Sequence, residues 1–256
     1  MEELEKIYRL WWREMKRFVR ERSRLLTSVV TPLLWILVFG GGMRNSAYGG
    51  AAAGHAGDYR QFIYPGILGM TLLFSSMFTG VSVVWEREFG FLKEVLVAPI
   101  SRAGLVIGKA LGGSTCALIQ GLLLLLFTPL IRMHFSLSAL LFVVPVMFLI
   151  SFGVTCIGLT IAVFMESLEG FNMIMSFAIM PMLFCSGALY PLRTAPPWLR
   201  TVSFFDPLTY GVDALRGILL GRAAAFMPLA LNIAILAAFA LVMTGAASIC
   251  YSLNRK

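Results

Sequence analysis

The sequence predicts an all-α, polytopic membrane protein that forms one domain over residues 1–256 and crosses the bilayer with six transmembrane helices. Three observations lead to this fold class. Hydrophobic residues make up 59% of the chain and charged residues only 13%, whereas a soluble domain is about half apolar and a quarter charged. Apolar segments long enough to cross a bilayer recur along the chain. The charged residues gather between these segments or at their ends, where water is close.

Residues 1–24 predict an amphipathic helix that lies in the membrane interface and does not cross it. Apolar residues return every three or four positions, and basic residues occupy the other faces. Two hypotheses stay open for this helix: it is an anchor and orientation signal only, or it also touches a cytoplasmic partner. Its candidate residues are Trp11, Trp12, Arg13, Lys16 and Arg17.

The six predicted spans contain features that bear on helix shape and packing. Pro65 lies near the outer end of the second span and Pro181 lies inside the fifth, so a kink is expected in both helices. Gly108 and Gly112 lie four residues apart in the third span, a spacing that suits close helix packing. The predicted spans cover residues 25–43, 62–85, 105–131, 137–165, 171–190 and 226–253.

The basic residues predict the orientation of the chain. With the N-terminus inside, fourteen of the 21 Lys and Arg residues fall on the inner side. Cytoplasmic loops carry an excess of Lys and Arg, so both termini are expected in the cytoplasm, with the spans in the cell's plasma (cytoplasmic) membrane. The net charge of +8 therefore reflects orientation and not nucleic-acid binding.

The segment 86–102, between the second and third spans, is predicted to face water on the inner side, because its charges cannot lie in hydrocarbon. Apolar residues recur within it at helical spacing, and Pro99 stops the turn. This pattern indicates a short amphipathic helix presented at the membrane face. The candidate residues are Glu86, Arg87, Glu88, Gly90, Phe91, Leu92, Lys93, Glu94, Leu96 and Pro99.

The segment 191–225 mixes charges with apolar runs that are too short to cross a bilayer. Residues 208–221 predict a re-entrant or interfacial helix on the outer side, just before the last span. Asp213 and Arg216 stand three residues apart on this helix, where they can pair. The candidate residues are Asp206, Pro207, Tyr210, Asp213 and Arg216.

The chain carries no motif for ATP hydrolysis. Residues 104–110 (GLVIGKA) have the wrong spacing for a phosphate-binding loop and lack its hydroxyl, and Lys109 is expected to snorkel from the inner end of a span. The four cysteines lie widely spaced in apolar segments, so no metal site is expected. Acidic residues are almost absent from the span centres, which disfavours an ion-coupled carrier. We expect a transport subunit that is not itself an enzyme; a secondary carrier and a membrane scaffold or assembly protein are the alternatives.

Two stretches resemble a known family. Residues 86–102 (EREFGFLKEVLVAPISR) are similar to the signature of ABC-2 type transporter permeases, in which charged residues and Gly precede Glu, a Leu-rich turn, Pro and a basic residue. Residues 205–210 (FDPLTY), followed by Arg216, are similar to the segment before the last span of that family. The resemblance covers the whole chain and is closest to the drug-resistance and nodulation-factor export branch, although Phe91 stands where many members have Thr.

The resemblance implies a permease that works as a homodimer with a separate cytoplasmic ATP-binding subunit. ATP and magnesium would bind in that partner, and this chain would hold no cofactor. Residues 86–98 would be the coupling helix, with Glu86, Glu88 and Glu94 meeting basic residues of the partner and Phe91, Leu92 and Leu96 filling an apolar groove. Spans two and five would line the path of a hydrophobic or amphipathic substrate: a drug, a lipid or a lipid-linked glycan.

Overall fold

The computed structural model describes residues 2–42, 59–88, 101–131, 133 and 136–253, and its long elements are all α-helices. The all-α prediction is confirmed. Three short 3-10 helices at Thr128–Ile131, Leu192–Thr194 and Arg222–Ala224 occupy connections between helices. The helices are α1 (Glu2–Arg20), α2 (Arg22–Gly42), α3 (Tyr59–Glu88), α4 (Arg102–Leu125), α5 (Leu137–Phe164), α6 (Leu168–Cys185), α7 (Pro197–Ser203), α8 (Pro207–Leu219) and α9 (Leu229–Leu253).

Within the described residues, five helices are long and apolar enough to cross a membrane, namely α3, α4, α5, α6 and α9. The prediction of a multi-pass membrane protein is therefore confirmed. The first predicted span, 25–43, coincides with α2, whose apolar stretch Leu26–Phe39 is shorter than those of the other five helices. A sixth crossing thus depends on α2.

Several helix ends differ from the predicted span ends. The third span was predicted to reach residue 131, but α4 ends at Leu125. Pro129 has no backbone N–H to donate to the Leu125 carbonyl oxygen, so the α-helix does not continue through it, and a 3-10 turn follows. The fifth span was predicted to begin at residue 171, but α6 begins at Leu168 because the Ser167 hydroxyl caps its start by accepting from the Gly170 N–H at 3.2 Å.

The centre of the bundle is α3, which contacts α2, α4, α5, α6 and α8. Its 30 residues give a length of about 45 Å. The buried Tyr64 hydroxyl donates to the Leu124 carbonyl oxygen at 2.8 Å and ties α3 to α4. Gly80 permits the crossing with α5, because a Cβ there would lie 2.7 Å from the Gly158 carbonyl oxygen. The other helices are therefore positioned by their packing on α3.

The first helix, α1, packs along α4 at the predicted glycine pair. A Cβ at Gly108 would lie 3.1 Å from the Leu10 Cβ atom, and one at Gly112 would lie 2.8 Å from the Glu14 Cβ and Cγ atoms. The prediction that this pair allows close helix packing is confirmed. The packing partner is the N-terminal helix.

A methyl group at Gly112 is expected to weaken this contact. Gly112→Ala should lower the free energy of unfolding by about 1–2 kcal/mol, since the new Cβ overlaps Glu14 and α1 must move away. Gly245→Ala in α9 is the matched control, because nothing lies within 4 Å of its Cβ position. Denaturant unfolding of the two purified variants measures the difference, and equal stabilities would contradict the close packing of α1 on α4.

The two ends of the bundle hold different structures. Where α3 ends, it meets α1: Arg13 binds Glu86 at 2.6 Å. Where α3 begins, it meets the chain around α8: the Tyr59 hydroxyl donates to the Leu189 carbonyl oxygen at 2.9 Å. We name these the α1 end and the α8 end. The two predicted functional segments therefore lie at opposite ends of α3.

Candidate functional site

The first three residues of the predicted 86–102 segment belong to α3. Glu86, Arg87 and Glu88 form its last turn, so the helix runs three residues further than the span predicted to end at residue 85. The helix continues because Glu86 and Arg87 find polar partners inside the chain, as described below. The other candidates of this segment, Gly90, Phe91, Leu92, Lys93, Glu94, Leu96 and Pro99, lie outside the described residues.

Five charged side chains meet at the α1 end, and we name them the charged cluster: Arg13, Glu14, Arg17, Glu86 and Lys109. The Glu86 carboxylate is at their centre. It lies 2.6 Å from an Arg13 guanidinium nitrogen, 2.7 Å from the Lys109 amine and 3.9 Å from Arg17. Glu14 lies 3.6 Å from the Lys109 amine and 3.8 Å from Arg13. The cluster therefore joins α1, α3 and α4 through alternating charges.

Lys109 is the buried member of the charged cluster. Its side chain is 0% exposed, and the side chains of Glu86 and Glu14 are 12% and 9% exposed. The prediction that Lys109 snorkels to water is wrong, because two carboxylates bring the opposite charge to it. An unpaired ammonium in so dry a site would be very costly, so the pairing with Glu86 is a condition for this packing.

Arg87 ties the same turn of α3 to a third neighbour. Its guanidinium donates to the carbonyl oxygens of Val163 at 2.8 Å and Met165 at 3.3 Å, where α5 ends. The last carbonyl groups of a helix have no partner within the helix and carry partial negative charge, so a cation there is favourable. The last turn of α3 is thus bound to α1, α4 and α5 at once.

The start of α4 is also held by α1. Ser101 caps α4 by accepting from the Gly104 N–H at 3.0 Å. The Glu3 carboxylate accepts from the Ser101 backbone N–H at 3.2 Å and from the Ser101 hydroxyl at 2.9 Å. α1 therefore binds the described chain on both sides of residues 89–100, at Glu86 through Arg13 and at Ser101 through Glu3.

The predicted apolar stripe of α1 is divided between two environments. Met15 and Phe18 are buried, and the Trp11 indole N–H donates to the Thr115 hydroxyl of α4 at 3.0 Å. Trp12 remains 45% exposed, and the Lys16 amine lies 5.6 Å from the centre of its ring. This face of α1, with its aromatic and basic side chains, is therefore available to contact the membrane or a partner protein.

At the α8 end, Asp206 and Pro207 start α8. The Asp206 carboxylate accepts from the Leu208 N–H at 3.0 Å, the geometry of a helix N-cap. Burial raises the pKa of Asp206 to about 7, although the bonds from Leu208 and Thr209 act in the opposite direction. The Tyr210 hydroxyl donates to the Phe204 carbonyl oxygen at 2.7 Å and folds the preceding chain against the helix.

Asp213 and Arg216 do not form the ion pair that was expected between them, and each side chain binds other groups. The Asp213 carboxylate accepts from the N–H groups of Phe226 at 2.6 Å and Met227 at 2.9 Å, and from the Asn232 amide at 2.9 Å. The two N–H groups lie just before α9 and the Asn232 amide lies in its first turn, and Asp213 supplies the acceptors that these partly or fully buried donors need. The predicted pairing is thus replaced by a contact between α8 and α9.

Arg216 is buried against the start of α3. Its guanidinium donates to the Gly187 carbonyl oxygen at 3.0 Å and lies 4.1 Å above the centre of the Phe62 ring. Burial lowers the pKa of Arg216 to about 10, and the negative charge of Asp213 opposes this shift. Gly187 has φ +69°, a conformation that favours glycine.

Sequence reasoning missed Glu14, Glu3 and Asn232. Glu14 has a visible signal: it stands four residues after Leu10 and four before Phe18, an acid within the stripe that packs on α4. An acid in a buried stripe requires a cation on the facing helix. Glu3 and Asn232 gave no such signal, since their partners are distant in sequence.

Comparison with known proteins agrees with this arrangement. The family model of the ABC-2 type transporter matches residues 5–220. The chain is 30% identical over 199 residues to ycf38 of Cyanophora paradoxa, which carries the name of a transport permease, covering 77% of this chain and 68% of that protein. It is 27% identical over 218 residues to the inner membrane transport permease YadH of Escherichia coli K12, covering 83% and 82% of the two chains.

A third relative is DrrC of Mycobacterium tuberculosis, which is named as a doxorubicin resistance ABC transporter permease. The identity is 25% over 214 residues, covering 82% of this chain and 75% of that protein. The family match spans most of the chain, from α1 to the residue after α8. The chain belongs to the ABC-2 type transporter family and is a multi-pass transport permease.

Proposed function

We propose that this permease is the membrane subunit of an ATP-binding cassette exporter, driven by ATP that a separate cytoplasmic subunit hydrolyses. The observation that carries the proposal is that α1 holds both ends of the segment 89–100, at Glu86 through Arg13 and at Ser101 through Glu3. Because the turns on both sides of this segment are bound to α1, a displacement of the segment would move α1, α3 and α4 together.

In this proposal the partner docks on the segment 86–98, as the family resemblance implies. Glu88 and Glu94 are proposed to meet basic residues of the partner, and Phe91, Leu92 and Leu96 to fill an apolar groove. Glu86 is proposed to act differently, because its carboxylate is already bound by Arg13 and Lys109. It would carry the motion inward to α1 and α4, while Arg87 would carry it to α5.

The working unit is proposed to contain two copies of this chain, with α3 and α6 lining the path between them. Both helices carry large apolar side chains that are exposed in the part of the chain that the structure describes. On α3 the exposed residues are Phe74, Phe78 and Trp85; on α6 they include Met173, Phe177, Met180 and Phe184. An apolar, aromatic and Met-rich lining suits a hydrophobic or amphipathic substrate.

The proposed substrate class is a drug, a lipid or a lipid-linked glycan. The relative DrrC, named for doxorubicin resistance, supports a drug-like molecule. The relative YadH, named as an inner membrane permease, supports a location in the cytoplasmic membrane. The substrate would leave the cytoplasm, and this chain would supply the path while its partner binds ATP and magnesium.

The proposed topology places both termini in the cytoplasm and the α8 end outside. Thr201, an exposed residue of α7, tests it. In a variant whose native cysteines are replaced by alanine, Thr201→Cys should react with a membrane-impermeant maleimide added outside intact cells, and Arg9→Cys in α1 should react only after lysis. Reaction of the Thr201 variant only from the cytoplasmic side would contradict this topology.

Copurification with ATPase assay tests the proposed function. The tagged permease is purified in mild detergent and its bound proteins are identified by mass spectrometry. We expect a subunit with ATP-binding motifs, whose ATPase rate in proteoliposomes rises when a transported amphiphile is added. A permease that purifies without any ATP-binding subunit would favour the alternatives, a scaffold or a secondary carrier.

A further inference from the structure

A groove opens between α2, α3 and α4 on the side of the bundle, and Glu21 at its edge pairs with Arg17 of the charged cluster. Its volume is about 660 Å³, within the range of about 300–1,000 Å³ that is usual for sites of small molecules. It begins beside Glu21 and extends along α2 and α3 to Gln120 of α4. Three helices of one chain form it, so the site does not require a second copy.

The lining of the groove is amphipathic. Trp35, Met70 and Phe74 provide apolar walls, and the Trp35 ring is backed by Phe39 in a stacked arrangement with centroids 5.0 Å apart. Thr31 and Thr71 place hydroxyl groups along the same groove. Such a lining accommodates a flat or flexible apolar body that also bears a few polar atoms.

Gln120 marks the point where a ligand would be recognised. Gln120 is only 3% exposed, and it is among the residues that line the groove. Within the part of the chain that the structure describes, its amide nitrogen Nε2 has no hydrogen-bond partner. A buried donor without an acceptor costs free energy, and most buried polar groups in proteins are satisfied. The missing acceptor is therefore expected to come from a molecule in the groove.

We propose that this groove binds one uncharged, drug-sized amphipathic molecule, with its apolar body against Trp35 and Phe74 and an acceptor oxygen bound to Gln120 Nε2. A carbonyl or ether oxygen meets the requirement, because Nε2 can only donate. Glu21, the charged residue among those that line the groove, is already paired with Arg17 at 3.2 Å. No Lys or Arg is among the described residues that line the groove, so this lining offers no cation for the phosphate of a phospholipid.

This site deepens the proposed function and rests on it for the class of ligand, since Phe74 also belongs to the face of α3 that is proposed to line the substrate path. Binding within one chain needs neither ATP nor the partner subunit, so it is tested separately from transport. It is tested with Prodan, an uncharged naphthyl ketone whose emission responds to hydrogen bonding at its carbonyl group. The purified permease is titrated at constant detergent concentration, and the signal of empty micelles is subtracted. We expect saturable binding, with energy transfer from tryptophan that decreases in Trp35→Phe because this ring is in the wall of the groove.

The decisive comparison is Gln120→Met, which keeps the length of the side chain and removes the donor. It is expected to weaken Prodan binding by about tenfold, while Gln61→Met in the first turn of α3 leaves it unchanged. Equal thermal unfolding midpoints verify that both variants are folded. The proposal is overturned if Prodan does not saturate, if Gln120→Met binds as tightly as the wild type, or if native mass spectrometry finds a phospholipid that Gln120→Met releases.

Discussion

Glu86→Gln is expected to lower the free energy of unfolding by about 3 kcal/mol. The substitution leaves the fully buried Lys109 amine with Glu14, at 3.6 Å, in place of the closer carboxylate at 2.7 Å. It also removes the 2.6 Å partner of Arg13. Breaking a buried ion pair from one side costs more than the pair contributes, since the remaining charge stays in a dry site.

Equilibrium unfolding in detergent measures this effect, and the exposed pair formed by Glu5 and Arg9 provides the control. These side chains are 62% and 76% exposed and lie 2.7 Å apart, so Glu5→Gln should cost no more than about 1 kcal/mol. The double variant Glu86→Gln with Lys109→Met should recover much of the loss, because no buried ammonium remains. Similar losses for Glu86→Gln and Glu5→Gln would refute the central position of Glu86.

Asp213→Asn is expected to cost about 3 kcal/mol and to loosen the start of α9. The carboxylate accepts three hydrogen bonds, from Phe226, Met227 and Asn232, at 2.6–2.9 Å. An asparagine amide has one acceptor oxygen, and its NH₂ group would face an N–H donor. Hydrogen exchange at the amides of Phe226 and Met227 should therefore accelerate along with the global loss of stability.

Asp206→Asn is the matched control for this prediction, because it makes the same chemical change seven residues earlier. Asparagine is as good an N-cap as aspartate and retains the acceptor for the Leu208 N–H. Burial raises the pKa of Asp206 to about 7, so loss of its charge is tolerated in the folded state. A loss below about 1 kcal/mol is expected. If both variants lose the same stability, Asp213 has no special role in holding α9.

Sequence reasoning predicted the helical bundle because hydropathy over long windows depends on many residues at once. It was less successful at helix ends, which depend on single residues. The last span was predicted to begin at residue 226, but Asp213 binds the N–H groups of Phe226 and Met227, and α9 begins at Leu229, after Pro228. Such a distant acceptor leaves no mark in the local sequence.

The charged cluster could be predicted only in part. Charges at 86–88 indicated a water-side position, and the structure places Glu86 at the end of α3, only 12% exposed. Charge alone does not distinguish a carboxylate that faces a partner from one bound within the chain. Lys109 was interpreted as a snorkelling side chain because its two acidic partners lie 23 and 95 positions away in sequence, in α3 and α1.

We propose that motion generated in an ATP-binding subunit enters this permease through the segment 86–102. Glu94→Arg reverses one charge in that segment, and Glu5→Arg on the exposed face of α1 is its control. The measurement is efflux from proteoliposomes, with the ATPase rate of the complex, for an amphiphile that stimulates the wild type. Glu94→Arg is expected to insert normally into the membrane and to hydrolyse ATP without coupled efflux; an efflux rate equal to that of the wild type would refute entry of the motion through this segment.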